Sequence, residues 1–267
     1  MTTKYSAANP EESRLQFAIS IAHKAGILAL KYFNDLASLA VEKKSNAHDV
    51  VSIADRETEI LMRELIKSEF PNDGILGEEL GFDNADSEYT WVIDPIDGTQ
   101  MFLSGIPTWS ISIAIVSNGE PIIGVVYDPN QGDCYSGLIG NGAYLNNQKM
   151  IINNQLSLSD GMTGVGTNRF GSQEPVVSTI DYILGNGGQV IRNGSGALML
   201  AQVAASKLVA YFEPRMYPWD CLAGICLIKE SKGYACDFEL NDYTIKHGAR
   251  VLAGTKSSVF DLKSQIK

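Results

Sequence analysis

Several features are scarce in this sequence of 267 residues, and each scarcity removes a class of function. No uninterrupted apolar run approaches the roughly 20 residues that cross a bilayer, so no membrane span is expected. The segment Met1 to Glu12 is polar and carries no apolar signal region, which reads as a soluble, cytoplasmic protein. There are four cysteines, Cys134, Cys221, Cys226 and Cys236, with no CxxC pair and no Cys/His spacing suited to zinc. They read as small buried hydrophobes in a reducing compartment. The three histidines, His23, His48 and His247, form no convincing Ser-His or Cys-His arrangement. Positive charge is short: 21 Lys and Arg face 31 Asp and Glu, for a net charge of −10. That balance argues against a nucleic-acid binder, which needs clustered Lys and Arg. No GxxxxGK[ST] loop is present, which removes the usual nucleotide-dependent phosphotransferase.

What is present is enough apolar material, 45% of residues, for one large core or two closely packed ones. Repeats, low-complexity tracts and flexible linkers are missing. Asn9-Pro10-Glu11-Glu12 offers a cap, a proline and first-turn acids, so a helix should start there. A second helix should run from about Ser52 to Phe70, ended by Pro71-Asn72-Asp73-Gly74. Thr90 to Ile93 reads as a short strand that must end at Asp94-Pro95, because proline cannot donate to a ladder. Ser110 to Val116 and Ile122 to Tyr127 flank Ser117-Asn118-Gly119-Glu120, a hairpin signal. Later come a helix near Gly196 to Ser206, a strand at Leu208 to Phe212 and a helix from about Trp219 to Lys232. Short strands near Tyr234 and Val251 and a terminal helix complete the pattern. The chain therefore divides into an α+β half, 1–152, and an α/β half, 153–267, packed as one unit.

The chemistry sits in carboxylates. Asp49 and Asp55 lie at the start of the second helix, Glu78 and Glu79 follow Gly77, Asp94 and Asp97 sit at a strand end, and Asp220 follows Trp219. In Asp94-Pro95-Ile96-Asp97-Gly98-Thr99 two acids enter a turn, Gly98 permits a tight backbone and Thr99 adds a hydroxyl. A helix beginning there would offer N–H groups to a phosphate. Carboxylates and carbonyls are hard ligands that suit Mg²⁺ or Mn²⁺. A plain Asp-rich turn is the competing reading. An EF-hand fails, since the twelfth position from Asp94 is Gly105 and not a glutamate. Asp55 also suits a helix start for structural reasons, as does Asp220.

The ordered set Lys44, Asp55, Gly77-Glu78-Glu79, Asp94 to Thr99 and Trp219-Asp220 resembles the inositol monophosphatase family of magnesium-dependent, lithium-sensitive phosphatases, over nearly the whole chain. The resemblance implies a layered α-β-α-β-α sandwich, assembled as a homodimer, using two to three Mg²⁺ ions. It implies that Glu78, Asp94 and the Ile96 carbonyl hold a first ion, that Asp94, Asp97 and Asp220 hold a second, and that a third involves Glu78. Thr99 and Asp55 should pair to orient the attacking water, with Glu78 also catalytic and with Lys44 and Glu79 in support. Gly98 and Thr99 should meet the phosphate. Two departures are Leu222 and Glu230-Ser231-Lys232-Gly233, where the family has Ala and Glu-Ala-Gly-Gly.

The alcohol released is less legible. Glu213, seven positions before Asp220, stands where the inositol enzymes place a hydroxyl-binding glutamate. Gly194-Ser195-Gly196 resembles their sugar-contacting turn, and Thr167 lies in a comparable loop. Inositol monophosphate or a similar polyol phosphate is the expected substrate. Phe102 to Pro107 resembles histidinol-phosphate phosphatases instead, and nucleotide 3′-phosphatases and sugar bisphosphatases belong to the same superfamily. A non-enzymatic regulatory protein on this fold would have lost metal ligands, and the expected acids are all present.

Overall fold

A computed structural model describes residues 9–35, 41–43, 50–83, 86–167 and 173–265. Lys44, His48 and Asp49 lie outside the described residues. Helix α1 (Pro10–Asn34) starts where its cap signals place it, with the Asn9 side chain accepting the Glu11 N–H at 3.1 Å. Its inner face is built from Ala18, Ile21, Ala22, Ala25, Gly26 and Ala29, and such small residues allow close packing on a sheet. The short strands β1 (Val41–Lys43) and β2 (Val50–Ser52) pair antiparallel and lead into α2 (Ile53–Glu69). The inner stripe of α2 is unusual, because Asp55, Glu59 and Arg63 are buried on it beside Ala54, Met62 and Ile66. Buried charges of this kind must be paired or functional.

The first sheet holds β3 (Gly74–Gly77), β4 (Gly81–Asp83), β5 (Tyr89–Asp97), β6 (Ser110–Ser117), β7 (Glu120–Asp128), β8 (Asp133–Leu138), β9 (Gly142–Leu145) and β10 (Gln148–Met150). Its order is β10-β9-β8-β7-β6-β5-β3-β4, antiparallel except where β3 runs parallel to β5. The β6–β7 hairpin turns on Asn118 and Gly119, both at positive φ, as a two-residue primed turn requires. Both faces are covered. Ile75, Trp91, Ile93, Ile111, Ile113 and Val125 face α1 and α2, while Leu76, Val92, Ala114 and Val126 face the molecular centre. That division is the strand period of two made visible.

The second sheet holds β11 (Met162–Val165), β12 (Gln189–Ile191), β13 (Ala210–Met216), β14 (Tyr234–Ala235) and β15 (Ala249–Gly254), in the order β12-β11-β13-β15-β14. Between the sheets lie α5 (Gly196–Ala204) and α6 (Pro218–Glu230). Helix α6 is buried nearly all round, the signature of a central helix, and Leu222 is one of its fully buried residues. Outside the second sheet lie α4 (Glu174–Gly185) and α8 (Lys256–Lys263), over Val165, Ala210, Phe212 and Leu252. A five-residue helix, α3 (Thr99–Leu103), follows β5, and α7 (Asp242–His247) precedes β15. The layers are α-β-α-β-α, the sandwich expected from the resemblance.

Two local expectations need correction. The strand does not stop at Pro95: β5 continues to Asp97. Its ladder with β6 slips between the pairs Asp94–Ser112 and Asp97–Ser110, so one extra residue bulges out. A proline can sit in a strand at a bulge, where no ladder donor is needed. The strand expected at Leu208 to Phe212 is β13, which runs further, to Met216.

Candidate active site

The bulge in β5 aims its acids. The Asp94 carboxylate accepts the Ile96 N–H at 2.9 Å, closing a small turn over Pro95. Asp97 is carried across to the other half of the chain. It accepts a hydrogen bond from the Ser195 hydroxyl and another from the Ala197 N–H at 2.8 Å, at the start of α5. Gly98 then turns at φ 98°, a left-handed conformation that glycine adopts without strain, and α3 begins. The Thr99 hydroxyl donates to the Ile96 carbonyl at 3.2 Å.

Glu78 arrives from the end of β3, the strand parallel to β5. Its N–H donates to the Ile93 carbonyl at 3.3 Å, one residue before Asp94. Asp220 lies in the first turn of α6, where it accepts the Tyr217 N–H at 3.1 Å. The preceding Trp219 stacks on Tyr217 with ring centroids 5.1 Å apart, and its carbonyl accepts from the Ser112 hydroxyl on β6 at 2.8 Å. Three elements distant in sequence therefore bring Glu78, Asp94 and Asp220 together, with ligand-type oxygens all within 4.8 Å of one another.

The three border a cavity of about 260 Å³. Asp97, Gly98, Thr99 and Gln100 continue this acidic wall, and Gly166, Thr167, Arg192, Gly194, Gly196, Tyr211, Glu213, Met216 and Tyr217 form the opposite one. Charge of one sign dominates. Burial, and then Glu78, Asp97, Asp220 and Asp55, hold the Asp94 carboxyl well above its ordinary range. Glu78 is raised by the protein around its carboxylate, and then by Asp220, Asp55, Glu79 and Asp97. Asp220 is raised by burial and by Asp97. Burial also lifts Asp97 to about 6, although Ser195 and the first N–H groups of α5 oppose the rise. Glu213 is pushed to about 7, chiefly by burial, with the Tyr211 hydroxyl donating to it at 2.5 Å. Crowded carboxylates that resist ionisation together are relieved by a cation between them. The donors are all oxygen, which suits a hard divalent ion.

Most of the residues singled out in the sequence converge here. Glu78, Asp94, Asp97, Gly98, Thr99, Thr167, Gly194, Gly196, Glu213 and Asp220 line the cavity. Asp55 lies buried behind the acids and contributes its charge to Glu78 and Asp94. Ile96 is also buried behind the wall, and Glu79 lies beside Glu78. Ser195 is placed differently from a sugar contact. It is fully buried, with its hydroxyl on Asp97 and accepting the Leu198 N–H at 3.1 Å. A serine at a helix start caps the helix, and that capping signal was available in Ser195-Gly196.

Several lining residues escaped sequence reasoning. Arg192 is the one basic side chain among the described residues that line the cavity, and it donates to the Thr167 carbonyl at 3.2 Å. Tyr211 and Tyr217 were missed because aromatics beside strands read as core. Glu59 was missed because it sits inside a helix, although its spacing of four from Asp55 and from Arg63 puts all three on one face.

A profile described as the inositol monophosphatase family matches residues 11–263. A protein named Nus factor SuhB from Xylella fastidiosa is 35% identical over 231 residues, covering 86% of this chain and 83% of its own. An inositol-1-monophosphatase from Rhizobium meliloti is 33% identical over 240 residues, covering 89% and 90%. Among solved structures, an inositol monophosphatase II of Staphylococcus aureus with inositol monophosphate bound superposes with a TM-score of 0.77. It shares 27% identity and covers 95% of this chain and 93% of its own. The match along nearly the full length makes this chain a member of the inositol monophosphatase family.

Proposed function

We propose that this protein is a magnesium-dependent phosphomonoesterase acting on inositol monophosphate or a similar polyol phosphate. The observation that carries the reading is the convergence of Glu78, Asp94 and Asp220 at the head of one cavity. In this reading Glu78, Asp94 and the Ile96 carbonyl would hold one ion, and Asp94, Asp97 and Asp220 a second, with Glu78 involved in a third. The Ile96 carbonyl accepts from the Thr99 hydroxyl, and a carbonyl oxygen has a second lone pair that suits a ligand role. A bound Mg²⁺, or Mn²⁺ in its place, supplies positive charge to the phosphate and a water of lowered pKa.

The chain's own groups do the rest. Asp55 and Thr99 orient the attacking water, and Glu78 accepts its proton. The backbone at Gly98 and Thr99 meets the phosphate oxygens. Across the cavity, Glu213 accepts a hydroxyl of the leaving alcohol, its carboxylate already steadied by Tyr211. Among the described residues that line the cavity, one arginine stands against several acids, which favours a neutral polyol over a second phosphate. The charge of Glu213 also suits an ammonium group, so histidinol phosphate is the reading to compare.

Hydrolysis of inositol monophosphate, histidinol phosphate, fructose bisphosphate and adenosine bisphosphate, each titrated with Mg²⁺, tests both levels. The expected result is Mg²⁺-dependent turnover with the polyol phosphate preferred. Absence of metal-dependent turnover on every ester would overturn the enzyme reading. A regulatory protein would then be favoured, in line with the relative named as a Nus factor.

A further inference from the structure

We infer that Glu59 is a positioning residue that locks the Glu78 turn into its ligating conformation. The inference rests on the metal-site reading above. Glu59 is fully buried on α2, one helical turn beyond Asp55. One carboxylate oxygen accepts the Glu79 N–H at 2.8 Å, and the other accepts the Leu80 N–H at 3.1 Å and the Arg63 Nε–H at 2.7 Å. Arg63 in turn donates to the Gly81 carbonyl at 2.5 Å and to Asp83 at 3.2 Å. The two residues that follow Glu78 are thus pinned by charge-assisted bonds. On the other side, the Glu78 N–H is held by Ile93 of β5. The backbone of Glu78 is clamped between the helix that carries Asp55 and the strand that carries Asp94.

This clamp explains Gly77. Its φ lies outside the left-handed region, so conformational freedom is not the reason for glycine. Space is: a Cβ there would lie 2.1 Å from one Glu59 oxygen and 2.8 Å from the other. The Glu59 carboxylate occupies the place of a side chain at position 77, directly beneath the turn. The simpler alternative is an intrahelical ion pair of Glu59 with Arg63, four residues on. An ion pair with Arg63 does not need both oxygens directed at the backbone after Glu78. Groups that hold a metal ligand from behind typically change metal affinity 10–100-fold when removed.

The test is Mn²⁺ affinity, read by water-proton relaxation on the full-length chain stripped with a chelator, for the native protein and for E59Q, G77A and D83N. Glutamine keeps the shape but offers one oxygen where three donors converge, so at least one N–H meets an amide donor. G77A keeps every charge and displaces the carboxylate. E59Q and G77A should each weaken Mn²⁺ binding by roughly tenfold or more. D83N, which alters the contacts to Lys67 and to the outer side of Arg63 and leaves the Glu59 carboxylate in place, should stay within about twofold. A structural ion pair would lower the thermal midpoint without moving metal affinity. Folded E59Q binding Mn²⁺ within about twofold of native overturns the inference. Should E59Q fail to fold, G77A decides by the same criterion. A native protein that binds no Mn²⁺ would overturn the metal site itself, a separate outcome.

Discussion

The two walls of the cavity are built in opposite ways. The acidic wall, proposed to hold metal, comes from β3, β5 and the first turn of α6, elements braced on both sides by hydrogen bonds and buried packing. The opposite wall, proposed to meet the alcohol, is assembled from the ends of β11, β12 and β13, with exposed Arg192 at its edge and a broken ladder register between Glu213 and Met216. A wall that must hold like charges at fixed separation needs rigidity. A wall that recognises an alcohol needs only hydrogen-bonding groups at a suitable distance, and it can vary.

The sharpest way to break the comparison is D94N. It removes a charge from the centre of the acidic group and should reduce turnover to below a few per cent of native, while circular dichroism shows the fold retained. Higher residual turnover would remove Asp94 from its proposed bridging role. Next is S195A, which takes the buried hydroxyl from Asp97 and uncaps α5. Loss of a hydrogen bond to a charged group costs about 1.5–3 kcal/mol. The thermal midpoint should fall by several degrees and Mg²⁺ affinity should weaken, whereas a purely sugar-binding serine would change KM alone.

E213Q addresses the other wall. It should raise KM for the polyol phosphate about tenfold and leave Mn²⁺ affinity within twofold; an unchanged KM for every ester would remove Glu213 from the alcohol site. It also carries a pH signature. Glu213 has a folded pKa raised from 4.5 to about 7, so its contribution to stability is present below its unfolded value and is lost as pH rises through about 7. The E213Q protein should therefore gain thermal stability over native between pH 5 and 8, and a gap that does not grow with pH would count against the buried carboxylate.

The smallest effect is expected far from the cavity, at Asp73. Arg14 grips it through two nitrogens, at 2.8 and 2.9 Å, and Trp91 donates at 3.0 Å. Burial pushes this carboxyl up, but the bonds from Arg14, Trp91 and Ser87 prevail and hold it below its ordinary 3.8. The sign is opposite to that of Glu213: the stabilisation is present above the unfolded value and disappears as pH falls through the lowered one. D73N should cost about 1–2 kcal/mol at pH 7, a few degrees in a chain of this size, with catalysis unchanged. Urea midpoints at pH 7 and pH 3 check it, and the difference should shrink at the lower pH.

The start of the first helix was legible because Asn9, Pro10 and two acids are local signals whose geometry acts within one turn. Strand β6 was legible because alternation and β-branched residues declare themselves in a window of eight. Helix α4 was not anticipated: Val176, Val177, Thr179, Ile180 and Ile183 carry β-branched side chains that favour strands, and burial against the second sheet overrides them. Pro95 misled for a related reason, since a bulge accommodates proline only when the neighbouring strand permits the slip.

For the candidate site, the sequence alone determined which acids exist, in what order, and that each stands at the end of an element. Chain-local chemistry sets those things: cap preferences, turn glycines and the incompatibility of proline with an unbroken ladder. Only the tertiary structure decided that Glu78, Asp94 and Asp220 share one point, that Ser195 turns inward to Asp97, and that Glu59 lies beneath Gly77. Those contacts join residues 16 to about 140 positions apart. Their formation depends on how two sheets and the helices between them bury apolar surface, a property of the packed whole that no window of sequence contains.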